Sequence, residues 1–212
     1  MTERNPLVTA IENTVLTLLA SVHTSLPGRI ETYDFSKQRA TVKPLIKKKF
    51  LDNTILDLPI LTNVPVVFPR TKQSGITFPL ERGDGVLIVF SERALERWKA
   101  SGREVEPGDP RKFDLSDGIV IPGLFSFADN NLATNNEDLE IHHNGFKIVI
   151  KKDGKVQLLG LGGTDLVKVI DEWMSQMQQT LVITGIGLQP FAPTSLALMA
   201  QIQLNLKKLL VV

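Results

Sequence analysis

Near the start of the chain, apolar residues recur every three or four positions and stop before Pro27 and Gly28. A helix brings residues with this spacing onto one face, so the sequence predicts an amphipathic helix within residues 1–27. The stripe can pack on its own domain or dock on a neighbouring subunit, and the pattern does not choose between the two. This face consists of Val8, Ile11, Val15, Leu18, Leu19 and Val22.

Between residues 28 and 124 the pattern changes to that of short strands. The runs RIETYDF, RATVKPLI, LPILTNVPVVFP, GVLIVF and GIVIPG are rich in β-branched residues and are separated by Gly, Pro, Asp and Asn. Five short strands predict a small barrel or sandwich. Pro65 and Pro69 flank VVF, which favours an edge or a barrel end because proline cannot donate to a ladder. SERALERW predicts one or two helical turns, with Trp98 closing the barrel end.

Residues 125–163 contain a linker and then strands that are too few to bury a core. Asn-Gly at 144–145 and Asp-Gly at 153–154 predict turns. Between them, Phe146, Ile148 and Ile150 alternate with residues 147, 149 and 151. A unit of two or three strands is marginally stable alone, and packing against copies of itself would bury its apolar side. The pattern therefore indicates an oligomer.

Residues 164–212 predict a mostly helical segment. Thr164 or Asp165 can cap a helix, and an apolar seam with four-three-four spacing follows. Gly and Pro in GIGLQPFAPTS break regular structure, and LALMAQIQLNLKKLLVV fits a helix better than a strand. The predicted fold class is thus mainly β with helical ends. The seam consists of Leu166, Ile170, Trp173 and Met177.

Composition excludes several kinds of partner and chemistry. Lys plus Arg (24) nearly cancel Asp plus Glu (23), so no overall field attracts nucleic acid or a membrane surface. The chain has no cysteine, which removes disulfides and thiolate chemistry and fits synthesis in a reducing cytoplasm. The first residues make a poor signal peptide, and no apolar run reaches the roughly 18 residues of a membrane helix.

The charged residues give no sign of an active site. His142 and His143 are neighbours, so a strand would point them to opposite faces, and no Ser-His-acid arrangement is visible. RGDG lacks the spacing of a phosphate loop and predicts a structural turn at Gly83, Asp84 and Gly85. We therefore expect no enzyme activity, no catalytic or metal site and no cofactor.

The best candidate for nucleic-acid binding is KPLIKKKF, with Lys47, Lys48, Lys49 and Phe50. Single-strand binders of the OB class need a basic groove and several aromatic stacking platforms. Tyr33 is the single tyrosine, and most phenylalanines lie in strand-like apolar runs. A solvated loop is therefore favoured, and single-stranded nucleic-acid binding by an OB fold is kept as the alternative function.

From Pro27 to Leu124, the order of segments resembles the N-terminal OB-type domain of central spike proteins from contractile-tail bacteriophages, the Mu-like spikes and baseplate assembly proteins of the V type. The shared features occur in the family's order. They are a P-G-x-I start, a V-P-V-x-F-P strand, a P-x-x-x-G-D turn, a following tryptophan and an S-D-x-I-x-x-P-G exit.

This resemblance implies an OB-type barrel over residues 28–124, a short intertwined trimeric β-helix or prism within 125–163, and C-terminal helices. The implied protein is a homotrimer that closes the distal end of the tail tube and leads it through the host envelope on contraction. Its partners would be its own copies, baseplate hub and tail tube proteins and a separate tip protein, with no nucleic acid. It would be made in the host cytoplasm and reside in the virion, at the tail baseplate.

In a trimer of this kind, the apolar patterns predict roles for the residues that form them. Phe146, Ile148 and Ile150 would face a threefold axis, and the seam from Leu166 to Met177 would add a helical clamp between subunits. The stripe from Val8 to Val22 would dock on the hub or on a barrel. The β-helical stretch is short and about fifty residues follow it, so assembly of the baseplate is better supported than puncture of the membrane.

Overall fold

The computed structural model describes residues 5–50, 52–184 and 186–209. The predicted segments 1–27 and 164–212 reach positions 1–4, 185 and 210–212, which lie outside the described residues. The chain divides into two units, Met1–Asp129 (unit 1) and Asn130–Val212 (unit 2).

Unit 1 begins with helix α1, Pro6–Leu19. Asn5 caps it by accepting a hydrogen bond from the Leu7 N–H at 3.0 Å, and Pro6 occupies the first turn, where a missing N–H costs nothing. The predicted N-terminal helix is therefore present. None of its residues is buried.

After α1, the chain forms a curled five-stranded antiparallel sheet with the order β5-β2-β1-β6-β7. Alternate side chains point inward, and Ile30, Val42, Val86, Ile88 and Val120 are at most 1% exposed. The strands are β1 Ser25–Asp34, β2 Arg39–Pro44, β5 Leu61–Pro65, β6 Gly85–Phe90 and β7 Gly118–Pro122, with a small separate hairpin of β3 Lys48–Lys49 and β4 Ile55–Leu56.

The sheet curls until its two edge strands meet. Just beyond β5, Val66 bridges Val120 of β7, and the Val67 N–H donates to the Val120 carbonyl oxygen at 2.9 Å. This half-barrel is compatible with an OB-like domain. The run between Pro65 and Pro69, predicted to lie at an edge or a barrel end, directly follows β5, which is an outer strand of the sheet.

The predicted turn before β6 is also present. Gly83 has a φ of +102°, a conformation that suits glycine, and its N–H donates to the Ile30 carbonyl at 2.8 Å. The Asp84 carboxylate accepts from the Glu81 N–H at 2.7 Å and fixes the loop. Gly85 begins β6, where a Cβ would overlap the carbonyl oxygen of Leu124. The charged RGDG stretch therefore has a structural role.

The connection from β6 to β7 contains helix α2, Glu96–Ser101, and is tied down by Asp117. The Asp117 carboxylate accepts from Arg111 Nε at 2.7 Å and from the Leu95 N–H at 2.9 Å, and its side chain is 2% exposed. Burial alone raises the pKa of Asp117, but these hydrogen bonds and the Arg111 charge outweigh it and leave the pKa below its usual value.

The prediction that Trp98 closes the barrel end is wrong. Trp98 is 46% exposed, whereas Ala94 is the buried residue of this segment. The partly buried residues that pack against the barrel core are Leu26, Tyr33, Leu80 and Leu115. In the same segment Glu96 binds Arg111 at 2.6 Å, and Arg93 binds its neighbour Glu92 at 3.2 Å.

Unit 2 contains a three-stranded antiparallel meander, β10-β9-β8, followed by helix α3. The strands are β8 Leu139–His143, β9 Phe146–Ile150 and β10 Val156–Leu159, and the helix is α3 Leu166–Gln179. Of the two predicted caps, Asp165 caps α3 by accepting from the Val167 N–H at 2.9 Å. Unit 2 thus has strands and a helix where the sequence predicts them.

The region after α3 differs in part from the prediction. Strands β11 Leu181–Thr184 and β12 Gly187–Pro190 form a hairpin where the sequence predicted a break within a mostly helical segment. Helix α4, Pro193–Leu209, then follows, as the sequence favoured. Glycine and proline predicted a turn here. The β11–β12 ladder depends in addition on pairing between the two strands, which these turn residues do not predict.

Candidate functional site

The candidate site is one face of the three-stranded sheet in unit 2. The register aligns Ile141, Ile148 and Leu158 across the three strands, and side chains two residues away on each strand share their face. Every residue on that face except His143 is apolar. This apolar sheet face consists of Leu139, Ile141, Phe146, Ile148, Ile150, Val156 and Leu158.

Within a single chain the apolar sheet face is open to solvent. Leu139 is 57% exposed and Ile141 48%, and Phe146 and Ile150 are 43% and 41% exposed. Ile148, at the centre, is half-buried by its cross-strand neighbours. Contiguous apolar patches of this kind mark interaction surfaces on soluble proteins.

The opposite face of the sheet is already covered. Val149 points to that side and is 1% exposed, as is Val167 in the first turn of α3. Gln157, the cross-strand neighbour of Val149, donates to the Asp165 carboxylate at 2.8 Å and so ties the start of α3 to this face. Because the described residues of unit 2 cover one side of the sheet and leave the other exposed, the apolar sheet face is the side left for a partner.

A network of charged groups also lies on the covered side. Lys147 Nζ donates to Glu140 Oε1 at 2.7 Å, the Thr134 hydroxyl and N–H donate to the same carboxylate, and His142 lies 3.2 Å from it. The Glu140 side chain is 6% exposed. The hydrogen bonds from Lys147 and Thr134 lower the pKa of Glu140 to about 2. The network holds the linker before β8 against β8 and β9.

We expect the acid stability of unit 2 to depend on Glu140. Its pKa is about 2 in the folded chain against an ordinary 4.5, so its ionised form stabilises the fold fully above pH 4.5 and this contribution is lost as the pH falls toward 2. In the wild-type chain the thermal midpoint, followed by circular dichroism, should drop across that interval. In Glu140→Gln it should start lower and change less.

Glu137→Gln provides the matched control for this prediction. Glu137 also binds a lysine, Lys152, at 3.2 Å, but its side chain is 68% exposed. Exposed pairs contribute little, so this variant should keep the wild-type pH profile. A Glu140→Gln profile that runs parallel to wild type would contradict the assignment.

The alternation in the sequence predicted the central residues of the apolar sheet face but not its full extent. Phe146, Ile148 and Ile150 are brought together as predicted, on one face of β9. The four residues from β8 and β10 were missed, although the alternation in LEIHH and VQLL carries the same signal. The partners of Glu140 were also missed, because they lie up to seven residues apart along the chain.

The predicted seam on α3 forms a different surface. Leu166, Ile170 and Trp173 are 49%, 37% and 60% exposed, and Met177 is half-buried. Since α3 begins on the covered side of the sheet, the seam is not continuous with the apolar sheet face. The interior side of α3 instead meets α4, where Gln203 donates to Ser175 at 2.9 Å.

The N-terminal stripe is exposed along its whole length. Exposure ranges from 43% at Val22 to 63% at Leu18. The residues are Val8, Ile11, Val15, Leu18, Leu19 and Val22, joined by Leu7 and Leu16, which are also exposed.

The lysines considered for nucleic-acid binding lie on the small β3–β4 hairpin and beside it. Lys47 binds Asp57 at 3.0 Å, and the Lys48 ammonium lies 5.3 Å from the centroid of the Phe50 ring. Phe50 is thus engaged within the hairpin. This arrangement does not supply the row of free aromatic platforms that single-strand binders use.

The histidines are engaged in local contacts. His142 binds Glu140, and the His23 ring lies 5.6 Å from the Phe90 ring, where burial lowers the pKa of His23. Among the described residues, no group of three His, Asp or Glu side chains could hold a metal ion. No helix in the described parts of the chain is long and apolar enough to cross a membrane.

Residues 26–123 match the family model described as the phage protein Gp138 N-terminal domain. This match supports a bacteriophage structural protein of the baseplate or spike type. It covers slightly less than half of the 212 residues and coincides with the curled sheet of unit 1. It supports a component of the virion and does not specify the Mu-like type of spike. No curated protein matches the chain.

Proposed function

We propose that this protein is the homotrimeric central spike of a contractile phage tail, which closes the distal end of the tail tube and leads it through the host envelope. The observation that carries the proposal is the open apolar sheet face in unit 2, on a chain whose unit 1 matches a phage domain. The Mu-like type of spike, suggested by the order of motifs in the sequence, is part of the same proposal.

Threefold assembly would bury the exposed apolar face of the unit 2 sheet and pair its two outer strands. If three apolar sheet faces turned toward one axis, their side chains would leave water. This burial stabilises the assembly by about 25 cal/mol per Å² of apolar surface. Strands β8 and β10 are the outer strands of the sheet, and their free backbone groups could pair with those of neighbouring copies. Intertwined strands of this kind would form the short β-helix or prism.

The charged side of the sheet suits the outside of such a shaft. Glu140, Lys147 and Lys151 lie on strands or strand ends, with their ion pairs on the side away from the apolar sheet face. Lys151 binds Asp138 at 3.0 Å and so ties β9 to the residue before β8. A closed, hydrogen-bonded shaft can transmit force from a contracting sheath without any catalytic residue.

The barrels of unit 1 would surround the axis beneath the tail tube, in contact with tube and hub proteins. The host envelope would be a transient contact, and a separate tip protein is a further expected partner. No enzyme activity and no cofactor are part of this proposal. Its location is the baseplate of the virion.

The alternative function, single-stranded nucleic-acid binding, has weaker support. The Lys47–Asp57 pair and the Lys48–Phe50 contact occupy two of the lysines and the aromatic ring that such a site would use. The alternative requires no trimer, and it predicts binding that weakens steeply with salt. Fluorescence anisotropy with a labelled single-stranded oligonucleotide at low salt tests it directly.

Two measurements test the proposed function. Light scattering of the full chain at micromolar concentration should give three times the chain mass of 23.5 kDa. Imaging of intact particles should then place density for this chain on the axis at the distal end of the tube. A monomer in solution would overturn the trimer, and density elsewhere in the particle would overturn the role as spike.

A further inference from the structure

Helix α1 is not buried by any of the residues that the structure describes. Each of its 14 residues is exposed, from Pro6 to Leu19. It is joined to the barrel by a short turn, in which the His23 N–H donates to the Phe113 carbonyl at 3.1 Å and the Phe90 N–H donates to the Thr24 carbonyl at 2.9 Å. Isolated helices of this length are marginal in water, so α1 needs a partner to be stable.

The spacing of the apolar residues in α1 indicates what kind of partner fits. Val8, Ile11, Val15 and Leu18 are separated by three, four and three residues, and Val22 follows four residues later. This is the a and d pattern of a heptad repeat, in which a helix packs against others with the same repeat. A helix that docks on a globular surface needs an apolar stripe but not this alternation.

The rest of the helix also fits self-association. Glu12 is the sole charged residue among the 14 of α1, so the helix offers little charge to match an oppositely charged partner. Leu7 and Leu19 flank the seam and widen the apolar stripe, as helices in a bundle require. Asn13 lies on the opposite side of the helix, at the f position of the same repeat.

We propose that α1 packs against α1 of two other copies of this chain as a short parallel three-helix coiled coil. The proposal rests on the proposed function for the number of helices, because the seam residues alone do not select three. Rotation about a threefold axis makes the helices parallel, and the hydrogen bonds at His23 and Thr24 attach each of them to its barrel.

Two heptads are too few to assemble by themselves. Within a trimer held by the apolar sheet face, however, the three helices are tethered to one particle and meet at a high effective concentration. The coil would then hold the N-terminal ends of the three barrels together. This gives the N-terminal stripe a role different from docking on a hub protein or on a barrel.

Disulfide trapping tests the proposal in the full chain, which has no cysteine of its own. Ile11→Cys places a thiol at a d position, where the side chains of neighbouring helices approach within disulfide range. Asn13→Cys places one at the outer f position as the matched control. Under mild oxidation, covalent dimers of Ile11→Cys should form at least about tenfold faster than those of Asn13→Cys.

Light scattering of the same samples under reducing conditions gives the oligomeric state, which is needed to interpret a negative crosslinking result. A trimer in which Ile11→Cys crosslinks no faster than Asn13→Cys overturns the coiled coil and leaves docking on a hub or barrel as the role of α1. A monomer overturns the proposed function as well. Val15→Cys, at the neighbouring a position, should crosslink as fast as Ile11→Cys. Slow crosslinking at both positions would show that the result does not come from a local effect of one substitution.

Discussion

Replacing Ile148 by Asp is expected to split the trimer into monomers. Ile148 lies at the centre of the apolar sheet face, between Ile141 and Leu158 on the neighbouring strands. In the proposed assembly, three carboxylates would be buried close to one axis without partners, a penalty of at least about 3 kcal/mol. Light scattering over a range of micromolar concentrations should show the mass of one chain, or aggregation of the open faces.

The control for this substitution is the same change at an exposed isoleucine outside the sheet. Ile76 lies in unit 1 between β5 and β6 and is 61% exposed. Ile76→Asp should leave the trimer intact, which separates the effect of position from that of charge. An Ile148→Asp chain that remains a trimer at the lowest concentrations would rule out the apolar sheet face as the interface.

Replacing Asp117 by Ala is expected to lower the free energy of unfolding of unit 1 by about 3 kcal/mol, because it breaks a buried ion pair by removing one partner. The change leaves Arg111, whose side chain is 30% exposed, without its most deeply buried carboxylate partner. It also leaves the Leu95 N–H without its acceptor. Hydrogen exchange at amides of β6 and β7 measures the loss in unit 1 separately from unit 2.

Asp109→Ala is the matched control for Asp117→Ala. Asp109 also contacts Arg111, at 3.7 Å, but its side chain is 47% exposed. Solvent screens such a pair, so the free energy of unfolding should fall by less than about 1 kcal/mol. If both variants lost the same free energy of unfolding, the burial of Asp117 would not explain its contribution to stability.

Patterns within short stretches predicted much of this fold. The run GVLIVF predicted a strand, and β6 has neighbours on both edges, with Val86, Ile88 and Phe90 in the core. The RGDG stretch predicted a turn, and Gly83 adopts the positive φ that this turn needs. These features depend on backbone preferences and on side-chain periodicity, which the local sequence contains.

Predictions that depended on contacts between distant segments were less successful. Trp98 was expected to cover the barrel end, but Asp117, nineteen residues later, binds the segment beside it and Ala94 is the residue that is buried. The hairpin of β11 and β12 was missed because its ladder needs a register between two strands. Local signals in GIGLQPFAPTS predicted only that the helix would end.

Periodicity and turn residues in the sequence were enough to predict α1, the five strands of the unit 1 sheet and the apolar side of β9, and the order of motifs gave the resemblance of unit 1 to a phage domain. Which side of the unit 2 sheet stays open depends on tertiary contacts. In β9 both Ile148 and Val149 are apolar, yet Val149 is buried because Gln157 and Asp165 hold α3 over its side. Burial arises from contacts between segments that are distant along the chain, and periodicity within one strand does not contain that information.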